Sequence, residues 1–193
     1  MQNSRKISII TSLLLAMVVT CFGQDKSTAV QQVVISVPEV ALIDLESATG
    51  TTIEFSPEVS SEAGEAIDFS NQRHSGIWIN YSSIVSSRTE PGRNITAQIT
   101  SGRLPQGVEL SVVASQDAGQ GEGAMGKATT AINLTNQSQD IIRGVGSAYT
   151  GNGVSKGHEL TYALSLSESA GSYASLDFNE SGSVSITYTM TDQ

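Results

Sequence analysis

The sequence predicts an all-β protein, a single antiparallel β-sandwich of about eight or more strands, on three observations. Apolar residues recur at every second position over several short stretches, the spacing that sends alternate side chains to opposite faces of a pleated strand. Segments rich in Gly, Ser, Asn and Asp punctuate those stretches. Helical periodicity is nearly absent, because no apolar series at i, i+3, i+4 runs beyond a turn or two and the Ser, Thr, Gly and β-branched content disfavours helix.

In chain order, the first alternating stretch is 30–37, with Val33, Ile35 and Val37 on one side and Pro38 directly after it. Next come 51–55, then Ile77, Ile79 and Tyr81 in a second alternating run, and Ile95, Ala97 and Ile99 in a third. Residues 108–114, 128–134, 159–166 and 183–190 complete eight strand candidates. Turns fall at 60–65, 86–92, 101–107, 149–157 and 179–182, with a long Gly-rich loop expected over 116–126. One short helix has room only within 137–143. Spacing and punctuation of this kind match an immunoglobulin-like sandwich.

The first 23 residues read as a signal peptide: Arg5 and Lys6, an uncharged apolar run from Ile7 to Val19, then small and polar residues. Cys21 and Gly23 place the cut before Gln24, leaving 24–193 as one domain. A lipidated Cys21 is the competing reading, against which stands Thr20 where lipidation patterns want Gly, Ala or Ser. Once Cys21 leaves, the chain holds no thiol for a disulfide or a metal. Export to the periplasm, cell surface or extracellular space is the expected localisation.

The chain carries ten basic and nineteen acidic residues. Losing 1–23 removes two basic residues and no acidic one, which leaves eight against nineteen and a formal charge of −11. Such a surface repels phosphate backbones, so no nucleic acid is expected as a partner. No later segment has the apolar length to span a bilayer as a helix, so no integral membrane segment is expected after signal removal.

Candidate sites are few, and no catalytic residue, cofactor site or metal site is assigned. Gly121 to Lys127 fills a G-x-x-x-x-G-K pattern, but Ala128 stands where a phosphate loop needs Ser or Thr, and a strand rather than a helix follows. His74 and His158 lack metal-spaced partners; His158 with Glu159, or His74 with Asp68, could join a serine in a hydrolase triad, but no G-x-S-x-G elbow is present. Glu54, Glu58, Glu62, Glu65 and Asp68 form an acidic tract without the D-x-D-x-D-G spacing of a calcium loop, and Asp117 with Glu122 is a sparser pair. Trp78, the one tryptophan, alternates against Ile77, Ile79 and Tyr81: exposed, it is a ligand contact, and buried, an ordinary core anchor.

Tyr149-Thr150-Gly151-Asn152-Gly153, the stretch from Gly157 to Tyr162, and the terminal alternating run from Val184 to Asp192 resemble exported bacterial β-sandwich proteins of the spore coat protein U and pilin-like kind. The likeness covers about the last third of the chain. It implies a pilin-like subunit secreted across the inner membrane and assembled at the surface by strand exchange between neighbours. This chain departs from many such proteins in lacking their cysteine pair.

The resulting expectation is a non-enzymatic exported structural or surface-interaction protein, with a role in adhesion and with other copies of itself or a surface assembly as partner. Val33, Ile35 and Val37 are the expected partner-binding strand, provided that 30–37 is not the first strand of its own sheet. A secreted or periplasmic module binding a glycan or small ligand, with Trp78 in contact, is the second expectation, and a hydrolase the third.

Overall fold

The computed structural model describes residues 28, 30–86, 89 and 92–193. The expected signal peptide and its expected cleavage point lie outside the described residues. The chain divides into two units, 1–36 and 37–193, and the whole sheet belongs to the second.

Among the described residues nine strands make one antiparallel sheet: β1 (Val40–Ser47), β2 (Arg73–Ile84), β3 (Arg93–Arg103), β4 (Val108–Ala114), β5 (Glu122–Ala128), β6 (Ile132–Asn133), β7 (Gln139–Tyr149), β8 (His158–Leu166) and β9 (Ser183–Asp192). A single 3-10 turn, Tyr173–Ser175, is the helical content among the described residues, so the molecule is all-β. The hydrogen-bonded path runs β6-β4-β8-β2-β7-β3-β9, with β1 added to β2 and β5 added to β7.

The joint between β2 and β7 is what lets one sheet act as a sandwich. β2 pairs with β8 through Ile79, and then with β7 at Ser82 and Ser83, so the sheet changes partners along one strand. The two resulting halves close around a common core in which Ile77, Ile79, Val112 and Leu160 of one half meet Ile95, Ala97, Ile142 and Val145 of the other. Two hydroxyls cross the core: Tyr162 of β8 lies 2.6 Å from Tyr188 of β9, and Tyr81 of β2 donates to the Met125 carbonyl of β5.

Several expectations need correction. Residues 30–37 lie in no strand, although they alternate, because sequence alternation supplies a face but not a neighbouring edge. Residues 51–55 likewise form no strand. Of 128–134 only the two residues of β6 pair with β4, and Ala128 ends β5. The Gly-rich tract expected as a loop over 116–126 holds most of β5, and the stretch offered for a helix, 137–143, runs into the start of β7. The runs at 77–81, 95–99, 108–114, 159–166 and 183–190 fall in β2, β3, β4, β8 and β9.

β7 escapes a period-two reading because it is bulged. Ile141 and Ile142 are adjacent and both buried, and the pairing with β3 slips twice along the strand. β5 is legible only with β7 beside it: a Cβ at Gly123, where φ is 107°, would sit 2.2 Å from the Ser147 carbonyl. The glycines that mimic a phosphate loop thus let two backbones approach.

Candidate functional site

Among the described residues, the stretch 30–39 before β1 runs almost wholly exposed. Val33, Ile35 and Val37 are 69, 83 and 73% exposed, and Val30 and Val34 are no better covered. Five large apolar side chains within eight residues therefore face water in a segment without charge. Isolated exposed aliphatics are ordinary, but a contiguous set of them marks an interaction surface.

Where this segment joins the sheet, the chain is fixed by Arg93. The guanidinium is 1% exposed and donates to both sides of the seam: it bonds the Val40 carbonyl of β1 at 2.6 Å and the Ser83 hydroxyl and Ile84 carbonyl of β2, each at 3.3 Å, and pairs with Glu39 just before β1 and with Asp192 of β9, the latter at 2.7 Å. β1 and β9 belong to opposite halves, and Arg93 ties the start of one to the end of the other. Its parity with Ile95, Ala97 and Ile99 is the sequence signal that places it inward, although the pattern does not say what it would meet.

Away from that tie the two halves are less tightly closed, and a cleft of about 1380 Å³ opens between them. Its walls include Leu45 of β1, Ile77 of β2, Leu164 of β8, and Val184, Ile186 and Tyr188 of β9. Residues 51–57 line it too, with Ile53 and Phe55 half-buried and their neighbours Thr52, Glu54 and Ser56 exposed. That alternation is strand-like, yet the backbone is not: from Thr51 to Pro57 the one amide with a partner is Ser56, bonded to the Gln72 side chain at 3.0 Å. Side chains fill the cleft while the backbone beside them forms no ladder.

The outer face of β1 and β2 carries a second, shallower feature. Register sets Glu46 beside Trp78, Asp44 beside Asn80 and Leu42 beside Ser82. Trp78 is thus half-buried on the face opposite the core residues Ile77 and Ile79, between Glu46 and Glu159. Two positions on, Asn80 is 4% exposed; its amide donates to the Gly153 carbonyl at 3.1 Å, and its Oδ1 is buried with no partner. A hollow of about 600 Å³ lies here, bordered by Leu42, Asp44, Asn80, Ser82, Asn152 and the half-exposed ring of Tyr149.

Among the described residues neither histidine forms an ion pair with a carboxylate. His158 is 1% exposed, with Nδ1 2.8 Å from the Ser115 carbonyl and Nε2 2.9 Å from the Tyr81 hydroxyl. Because a carbonyl only accepts, Nδ1 carries the proton, and the Tyr81 hydroxyl lies between Nε2 and the Met125 carbonyl. Burial, with the Asp117 charge adding to it, pushes the Tyr81 phenol above its ordinary range. Glu159 points to the other face, where its carboxylate accepts from the Gly76 amide at 2.9 Å. Asp68 takes the Ser70 amide and hydroxyl, which hold its carboxyl below the usual value. No group of three His, Cys, Asp or Glu side chains among the described residues is arranged to hold a metal. Asp117 accepts from the Gly119 amide through Oδ2, and its Oδ1 is buried without a partner.

The chain matches no protein-family model and no curated protein.

Proposed function

We propose that the chain is an exported, non-enzymatic structural protein, a pilin-like subunit that joins other copies of itself at the cell surface by β-strand exchange. One observation carries this reading: 30–37 is an alternating, uncharged, apolar segment that lies in no strand and faces water ahead of the sheet. Burying Val33, Ile35 and Val37 in a neighbour would return roughly 1.5 to 3 kcal/mol each, and adding a strand to an open edge supplies main-chain hydrogen bonds as well. An acidic surface keeps subunits soluble until that specific contact forms.

Deleting residues 24–37 tests it. The segment belongs to no strand, so the shortened chain is expected to keep its far-ultraviolet spectrum and cooperative melting while staying monomeric by light scattering. The intact protein, beginning at Gln24 by mass spectrometry, is expected to grow in mass with concentration. An intact protein that stays monomeric at high concentration, beside a deletion that unfolds, overturns the reading.

A module binding a glycan is the second reading, favoured by the hollow on the outer face. An unpartnered Asn80 Oδ1, the Asp44 carboxylate and the Tyr149 ring offer hydrogen-bonding groups beside an aromatic face, and Trp78 lies on the same face of β2. Titration with glucose, galactose and N-acetylglucosamine checks it by calorimetry: saturable heat lost in Tyr149→Ala supports the site, and no heat with any of the three removes it.

A further inference from the structure

On the outer face of β1, β2 and β8, the charged side chains on the two rows at the hollow are all acidic. Register puts Asp44 opposite Asn80, and one step along the same face it sets Trp78 between Glu46 and Glu159. Directly opposed residues on neighbouring strands lie about 5 Å apart at their Cβ atoms, so three carboxylates bear on one small area. None of the three pairs with a cation among the described residues. Arg73 stands opposite Ala163, four residues along β8 from Glu159, and Lys156 lays its stem beside Gly151 without bonding to Asp44 or Asn80.

The hydrogen-bond inventory points the same way. A side-chain amide offers an NH2 donor and a carbonyl acceptor. Asn80 spends its Nδ2 on the Gly153 carbonyl at 3.1 Å, while its buried Oδ1 has no partner. What is left wanting is therefore a donor. Asp44 takes the Leu45 amide on Oδ1 at 2.7 Å and keeps its second oxygen unbonded. Tyr149, 52% exposed, adds a ring whose negative face attracts cations.

We infer that the ligand of this hollow carries a protonated primary amine, as an amino sugar does, with the ammonium set between Asp44 and Asn80 Oδ1 and the sugar ring against Tyr149. This inference rests on the second reading above, that the hollow takes a glycan, and names the class of sugar. An ammonium has three donors and no acceptor, so it serves Asn80 Oδ1 and the free Asp44 oxygen together. A single hydroxyl brings one hydrogen and no charge, and serves one of them. Glu46 and Glu159 on the next row deepen the negative potential that draws a cation in and add nothing for a neutral sugar.

Calorimetry on the full exported chain tests the assignment with glucosamine, N-acetylglucosamine and glucose at about pH 6, where the amine of glucosamine is charged. Glucosamine is expected to bind about tenfold more tightly than either neutral sugar. Most of that margin is expected to vanish in Asp44→Asn, an isosteric change at an exposed position, and at high salt, where exposed charges are screened. Glu54→Gln, at an exposed carboxylate outside the hollow, is expected to leave it unchanged. Heat from glucosamine alone, lost in Asp44→Asn, equally supports the ammonium and removes neutral sugars as ligands. Equal affinity for all three sugars overturns the ammonium and leaves the glycan reading standing. A margin that survives Asp44→Asn, or that Glu54→Gln lowers as much, overturns the placement at Asp44 and reduces the effect to general attraction by an acidic surface. No saturable heat from any of the three removes the hollow as a binding site, and this inference with it.

Discussion

Tyr162 and Tyr188 join the two halves through hydroxyls 2.6 Å apart, and both phenols titrate above the ordinary value of 10.0. Burial is the main cause for each, and it takes Tyr162 to about 12. A folded-state value above the unfolded one means that the neutral phenol favours the fold. That contribution is fully present below pH 10 and is lost as pH rises through about 12. Thermal melting followed across this range is expected to show the midpoint falling between those values, with phenolate absorbance rising at unfolding. Tyr188→Phe removes the bridge and is expected to lower the midpoint at neutral pH by about 1 kcal/mol of stability, the usual net worth of such a bond. A midpoint in the wild type that stays level to pH 12 contradicts the assignment. Trp78 shows a limit at this scale: alternation sets it opposite Ile77 and Ile79, but the buried face of β2 is identified only by β3 and β7 packing against it.

At the scale of elements, legibility follows how much of a strand's pattern is its own. β4 and β8 are read almost to the residue, because each alternates cleanly and pairs along its whole length. β7 and β5 are missed together, since the bulges of one and the glycines of the other make sense only as a pair. Gly123→Ala tests that account. With Ser147 O and the Ala148 Cα in its path and a φ of 107°, a methyl group must push the strands apart. A loss of about 2–5 kcal/mol is expected in urea melting, against about 1–2 kcal/mol for Gly119→Ala, whose Cβ meets nothing within 4 Å and whose positive φ alone strains an alanine. Equal effects of the two would show that backbone conformation, not the approach of β7, sets the cost. Residues 51–57 fail as a strand for the complementary reason. Their alternation is real and Ile53 and Phe55 line the cleft, but their backbone forms no bond to a strand.

At the scale of the whole sheet, the apolar core, the Tyr162–Tyr188 bridge and Arg93 hold the two halves together. The described residues offer no metal cluster, so a calcium chelator is expected to leave the thermal midpoint unchanged. A fall of many degrees would place an ion in the acidic tract from Glu54 to Asp68 or at Asp117. No helix of the described residues is long and apolar enough to cross a membrane. The all-β class was determined by the sequence itself, because alternation, turn residues and poor helix propensity are local properties that every strand carries within it. The uncharged apolar character of 30–37 was determined there as well. Tertiary structure alone decided which stretches pair, that Arg93 closes the seam between β1 and β9, and that 30–37 lies outside the sheet while β9 keeps a bare edge. The reason is physical: a side-chain period fixes two faces for each strand, whereas pairing and burial depend on which edge arrives beside it from far along the chain.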